Sequence, residues 1–210
     1  MADKFRVRVV GCPKTLFFHL YFSSMTEVNL FKRRRLSPSQ TAKKLLCKAY
    51  EPTEFPAGRE GERLRWKHSD TTIHVMKKML SDGYQILEIE ARANGGRIDL
   101  IGKAPDGLVV GVEVKSHGGA LREVDRIQCA LYFSPQLDAV AVANRYNFEV
   151  LTTGFIQEVR VAAHVVLEFL ATQPDLARVS FSPHSDVCGT CDNSLCMHRD
   201  NGCVQMRLDK

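Results

Sequence analysis

The chain has 210 residues, 44% of them hydrophobic and 25% charged, with a formal net charge of +5. That composition suits one folded domain with a sizeable core. No apolar run is long enough to span a bilayer, and the charge permits nucleic-acid contact without requiring it.

Residues 1–50 are basic and expected to be partly helical. Their apolar stretch VVGCPKTLFFHLYF is broken by Pro13, Lys14 and His19. It lacks the clean core and cleavage site of a signal peptide, so a cytoplasmic, membrane-free protein is expected. The run Phe31–Leu36 reads either as a solvated helix end or as a phosphate-contacting edge. Pro52, Pro56, Gly58 and Gly61 predict a loop or lid over residues 51–66. A helix is predicted over about 70–82, stopping at Gly83. Strands follow at about 84–92, 96–103 and 108–115, the last two joined by a turn holding Pro105-Asp106-Gly107. GGALREVDRIQCALYF is the next helix, VAVAN and FEVLTT are further strands, and QEVRVAAHVVLEFLATQ is an amphipathic helix ending before Pro174. The order of elements predicts an α/β fold with a central mixed sheet flanked by helices. The expected divisions are an N-terminal basic region (1–66), a core (67–175) and a cysteine-rich tail (176–210).

The segment RIDLIGKAPDGLVVGVEVKS, from Arg97 to Ser116, carries the chemistry. Side chains alternate along a strand, so Glu113 and Lys115 point the same way. The hairpin turn can bring Asp99 beside them. Two carboxylates and a lysine form a divalent-cation site with a positive charge next to it. Mg²⁺ or Mn²⁺ there would polarise a phosphodiester and acidify a bound water, and the lysine would orient that water. The apolar residues around these charges mark a buried sheet, where charge needs a reason. Glu90, on the preceding strand, is either a third carboxylate at the site or an outward-facing residue.

Seven cysteines without a secretory signal favour metal or redox chemistry over disulfides. Cys188 and Cys191 form a C-x-x-C chelate, followed by Cys196 and Cys203. These four could make a local zinc knuckle. Alternatively three of them could combine with a distant cysteine, either Cys12 in Gly11-Cys12-Pro13-Lys14 or Cys47. A centre joining the two ends would close most of the chain into one loop, a structural clamp by restriction of the unfolded ensemble.

Asp99 and Glu113-x-Lys115 resemble the signature of the PD-(D/E)XK nuclease superfamily. Gln128 and Tyr132 resemble the Q-x-x-x-Y pattern of its RecB-like branch, and at i and i+4 they share a helix face. With Cys12, Cys188, Cys191 and Cys196 in the same order, the chain resembles the CRISPR-associated Cas-four exonucleases and the nuclease domains of AddB-type helicase–nucleases. The resemblance implies a restriction-endonuclease-like core and a [4Fe–4S] cluster on Cys12, Cys188, Cys191 and Cys196 in a small subdomain joining the termini. It implies Mg²⁺ or Mn²⁺ held by His74, Asp99, Glu113 and the Val114 carbonyl, with Lys115 positioning the nucleophile. Gln128 and Tyr132 are the residues expected to contact the nucleic acid or to support the site. The implied activity is metal-dependent exonucleolytic cutting of single-stranded DNA from the 5′ end. It would serve CRISPR spacer acquisition or DNA processing, with a CRISPR integrase as possible partner and homo-oligomerisation open.

The sequence departs from the family in two places. The Cys191–Cys196 gap is one residue short, and neither His74 nor its alternative His68 has a glycine four residues earlier. GREGERL, GGRIDLIG and VEVKS also resemble YraN-type proteins and archaeal Holliday-junction resolvases, which lack the terminal cysteines. The reading from another class is a non-catalytic, zinc-containing DNA-binding scaffold.

Overall fold

The computed structural model describes residues 6–10, 36–47, 50, 57–172 and 187. A strand β1 (Arg6–Val10) is followed by helices α1 (Pro38–Leu46) and α2 (Gly58–Ser81). Strands β2 (Gln85–Ala93), β3 (Gly96–Lys103) and β4 (Val109–Val114) form an antiparallel meander. Helix α3 (Glu123–Leu131) crosses to β5 (Ala139–Ala143), which lies parallel to β4. A tight connection leads to β6 (Asn147–Leu151), antiparallel to β5, and helix α4 (Thr153–Thr172) follows. The six strands lie in the order β1-β6-β5-β4-β3-β2, with β1 parallel to β6. The chain is thus an α/β protein with a mixed sheet flanked by helices. Among the described residues, no helix is long and apolar enough to cross a membrane.

Two turns carry the meander. Asn94 and Gly95 both have positive φ, 43° and 82°, the backbone of a tight two-residue hairpin. The expected Pro105-Asp106-Gly107 turn is present, with Gly107 at φ 94° and its N–H donated to the Ala104 carbonyl.

The sheet separates two cores. Val75 and Met79 of α2 pack on Leu100, Val110, Val112, Val114 and Phe148. On the other face, α1, α3 and α4 bury Ala42, Leu131, Phe155 and Val159 against Val140 and Val142. β4 is therefore covered on both sides. Its even-numbered valines face α2, which turns Gly111, Glu113 and Lys115 toward α3.

One expectation changes, and one strand is added. α2 begins at Gly58, where a loop or lid was expected through residue 66. Gly61 is buried within α2 and does not break the helix. Residues 1–50, expected to be basic and partly helical, hold α1 and in addition β1; RVRVV alternates charge and valine, the pattern of a short strand. The remaining strands lie within about two residues of their expected bounds. Cys12, Cys188, Cys191, Cys196, Cys203, the basic run through residue 35 and the tail from 188 onward lie outside the described residues.

Candidate active site

Asp99 sits where the β2–β3 hairpin changes face. Ile98 and Leu100 are two residues apart and would share one face of a regular strand. Instead Leu100 belongs to the core beneath α2, while Ile98 packs with Ala91, Ala93 and Tyr132. Glu90, across the ladder from Asp99, has φ 54°, a left-handed value strained for a residue with a Cβ. The β3–β4 register runs only as far as Leu100 and Val112. Past it, the Asp99 side chain takes over: Oδ2 accepts the Val114 N–H at 2.6 Å. The kink thus fixes Asp99 on the backbone between Glu113 and Lys115.

The other oxygen, Oδ1, lies 3.1 Å from His68 Nε2. This corrects the choice of histidine. His68 lies seven residues before the fully buried Val75 and shares its face of α2, whereas His74 is turned about 120° away and is exposed. The Asp99 hydrogen bond raises the His68 pKa, against the opposing effect of partial burial. Glu90 is the outward-facing residue of the two alternatives: its exposed carboxylate accepts from Arg97 Nη1 at 2.8 Å.

Glu113 and Lys115 are joined through Gln128. Lys115 Nζ donates to Glu113 Oε1 at 2.9 Å and to Gln128 Oε1 at 2.7 Å. Gln128 Nε2 donates to the same Glu113 oxygen at 2.7 Å and to the Tyr132 hydroxyl at 3.3 Å. An ammonium only donates and a carboxylate only accepts, so the orientation of the amide follows from its partners. Gln128 and Tyr132 are both buried. They stand behind the charged pair, with their polar groups spent inside the protein. Of the two roles expected of them, contact with nucleic acid and support of the site, their burial and their i,i+4 hydrogen bond favour support.

Burial raises the Glu113 pKa to about 7, although Lys115 pulls it down; Asp99 adds to the rise. Burial opposes the charge on Lys115 as well, but Glu113 and Asp125 outweigh it and its pKa lies above the ordinary lysine value. Tyr132 is pushed well up, first by burial and then by Glu113.

Sequence reasoning missed a further layer. Asp125, buried in the first turn of α3, lies 4.0 Å from Lys115 Nζ. Its Oδ2 also accepts the Arg122 N–H at 3.0 Å and meets His117 Nε2 at 2.8 Å. Its pKa is lowered because Arg122 and Lys115 together overcome the effect of burial. The available signal was Arg122 followed three residues later by an acid, the spacing that closes a helix start.

One atom is left over. Among the described residues, Glu113 Oε2 is buried and has no hydrogen-bond partner, a loss of about 1–3 kcal/mol for a polar atom and more for a charged one. Among the described residues no three His, Cys, Asp or Glu side chains form a preformed metal cage. Mg²⁺, however, is commonly held by one or two carboxylates and keeps several waters. Asp99 and Glu113 match that donor set, and the unpartnered Oε2 is the atom a cation would engage.

No family model, curated protein or solved structure matches this chain.

The cysteine expectations meet the structure at one point. Cys47, at the C-terminus of α1, is buried with Tyr50 and Val187. Val187 immediately precedes Cys188.

Proposed function

We propose that the protein is a metal-dependent deoxyribonuclease with a PD-(D/E)XK core, trimming single-stranded DNA from its 5′ end in spacer acquisition or DNA processing. The observation that carries this reading is the meeting of Asp99, Glu113 and Lys115 at one end of β4, with a buried carboxylate oxygen left unpartnered among the described residues. A scaffold would gain nothing from keeping a half-satisfied buried carboxylate beside a lysine.

Asp99 and Glu113 would hold Mg²⁺ or Mn²⁺, with the Val114 carbonyl and His68 within the same group of residues. The cation supplies Lewis-acid polarisation of the phosphodiester and a more acidic water. Gln128 holds Lys115 and Glu113 in one geometry. Among the described residues, the hydrogen bonds of Lys115 occupy two of its three donors, on Glu113 and Gln128. The third is left to steer a water or a phosphoryl oxygen. Its carboxylate neighbours keep Lys115 protonated, so it acts as a donor and charge stabiliser and not as a base.

The activity test is Mn²⁺-dependent shortening of end-labelled single strands; preference for branched duplexes would favour a resolvase-like enzyme, and binding without turnover a scaffold. The supporting role of the glutamine has its own test. Gln128→Met should lower kcat about tenfold or more while KM barely changes, since a buried linker is lost and no strand contact with it. The Tyr132 hydroxyl loses its partner too, so urea unfolding should show a loss of about 1–3 kcal/mol. A rise in KM with kcat intact would assign Gln128 to substrate binding.

We also propose a [4Fe–4S] cluster on the terminal cysteines. Support comes from the packing of Cys47 against Val187, which joins the end of α1 to the chain just before Cys188. Anaerobically purified protein should be brown, with about four irons per chain. Loss of iron in Cys47→Ser or in Cys12→Ser identifies the N-terminal ligand. A colourless protein with one zinc would remove the cluster and leave the nuclease core standing.

A further inference from the structure

The connection between β5 and β6 stands at the same end of the sheet as the catalytic residues. The Lys115 N–H donates to the carbonyl of Ala143, the last residue of β5, at 2.7 Å. The two residues at the tip of this connection point apart. Arg145 reaches α2 and pairs with Asp70, two residues beyond His68. Tyr146 lies against Gly118, three residues beyond Lys115: a Cβ at Gly118 would come within 3.3 Å of its ring. The tip therefore touches α2 at Asp70, two residues from His68, and the β4–α3 loop at Gly118, next to His117.

Its rigidity comes from Asn144, which is fully buried. Asn144 Oδ1 accepts the N–H groups of Tyr146 and Asn147, both at 2.9 Å, and its Nδ2 donates to the Gly119 carbonyl at 2.8 Å. A buried amide whose oxygen and nitrogen both have partners fixes both the tip and the β4–α3 loop beneath it. Yet the residue so firmly held, Tyr146, is 64% exposed. An exposed aromatic ring on a rigid mount at this end of the sheet is suited to stack an unpaired base at little entropic cost.

We propose that Tyr146 is a stacking platform for an unpaired base of the strand in the active site, and that Arg145 exchanges Asp70 for a backbone phosphate when the strand binds. This rests on the nuclease reading and narrows its substrate to strands with a free base face. A duplex offers no such face next to the scissile bond. Gly118 has a part in it, because a side chain there would push the ring off its seat.

The test is binding of oligothymidylate by the Asp99→Asn protein, which removes cleavage from the measurement. Tyr146→Ala should weaken binding about tenfold, Tyr146→Phe should keep it, and affinity for duplex should barely move. Tyr146→Trp made in a Trp66→Phe background is the only tryptophan of the chain, and its fluorescence should be quenched by oligothymidylate. Unchanged affinity in Tyr146→Ala, with a wild-type protein that still cuts single strands, would overturn the platform and leave the nuclease reading intact. A wild-type protein that neither binds nor cuts single strands removes both.

Discussion

Asp99→Asn should eliminate Mn²⁺-dependent cleavage, by more than about a hundredfold, with little change in stability. The exchange is isosteric, and the remaining carbonyl oxygen can still accept the Val114 N–H that now binds Oδ2 at 2.6 Å. The kink at Asp99 is thereby preserved. The negative charge is lost, and with it one of two carboxylates able to bind a cation. His68 also loses the acceptor that raises its pKa. End-labelled single strands with Mn²⁺ read the activity, and thermal melting reads the fold. Cleavage at the wild-type rate in a folded Asp99→Asn protein would sink the assignment. Asp99→Ala is a poorer probe, because it strands the Val114 N–H and confuses lost chemistry with lost structure.

The contrast between these variants shows what the sequence could convey. The period of two in β4 and the Pro-Asp-Gly turn sufficed to bring Asp99, Glu113 and Lys115 together, because both are local rules. The i,i+4 spacing of Gln128 and Tyr132 correctly aimed them at the site. It could not tell that they stand behind the charges, since burial depends on the packing of α1 and α3 against the sheet. His68 and His74 lie on one helix, and choosing between them requires its phase. That phase was obscured because the first half of α2 is polar and carries two glycines, so its start was read as a loop. Val75 and Met79 reveal the phase only once α2 is known to run back to Gly58. The change of face at Asp99 has no sequence signature: Glu90 is an ordinary residue in an unusual backbone conformation. Asp125 was hidden for another reason, since an acid in the first turn of a helix commonly serves the helix alone.

Glu113 ties stability to pH and to divalent cations. Its pKa is raised from 4.5 to about 7, chiefly by burial. The folded protein then holds the proton more tightly than the unfolded chain. The stabilisation is complete below the unfolded value and is lost as pH rises through about 7. The full loss is on the order of 3 kcal/mol, so the cation-free protein should weaken between about pH 5 and about pH 8. Glu113→Gln isolates this contribution from all other titrations. Its carbonyl can still accept from Lys115 and Gln128, and it has no charge to bury, so the variant should overtake the wild type as pH rises. Millimolar Mg²⁺ should restore the wild type at about pH 8, because a cation on Oε2 stabilises the charged form; it should leave Glu113→Gln unchanged. Urea unfolding of both proteins, with and without Mg²⁺ at each pH, gives the four curves needed. Parallel pH profiles would mean that Glu113 is solvated in the folded state. Diverging profiles without a Mg²⁺ effect would mean a buried carboxylate that holds no cation, and the nuclease reading would lose its strongest support.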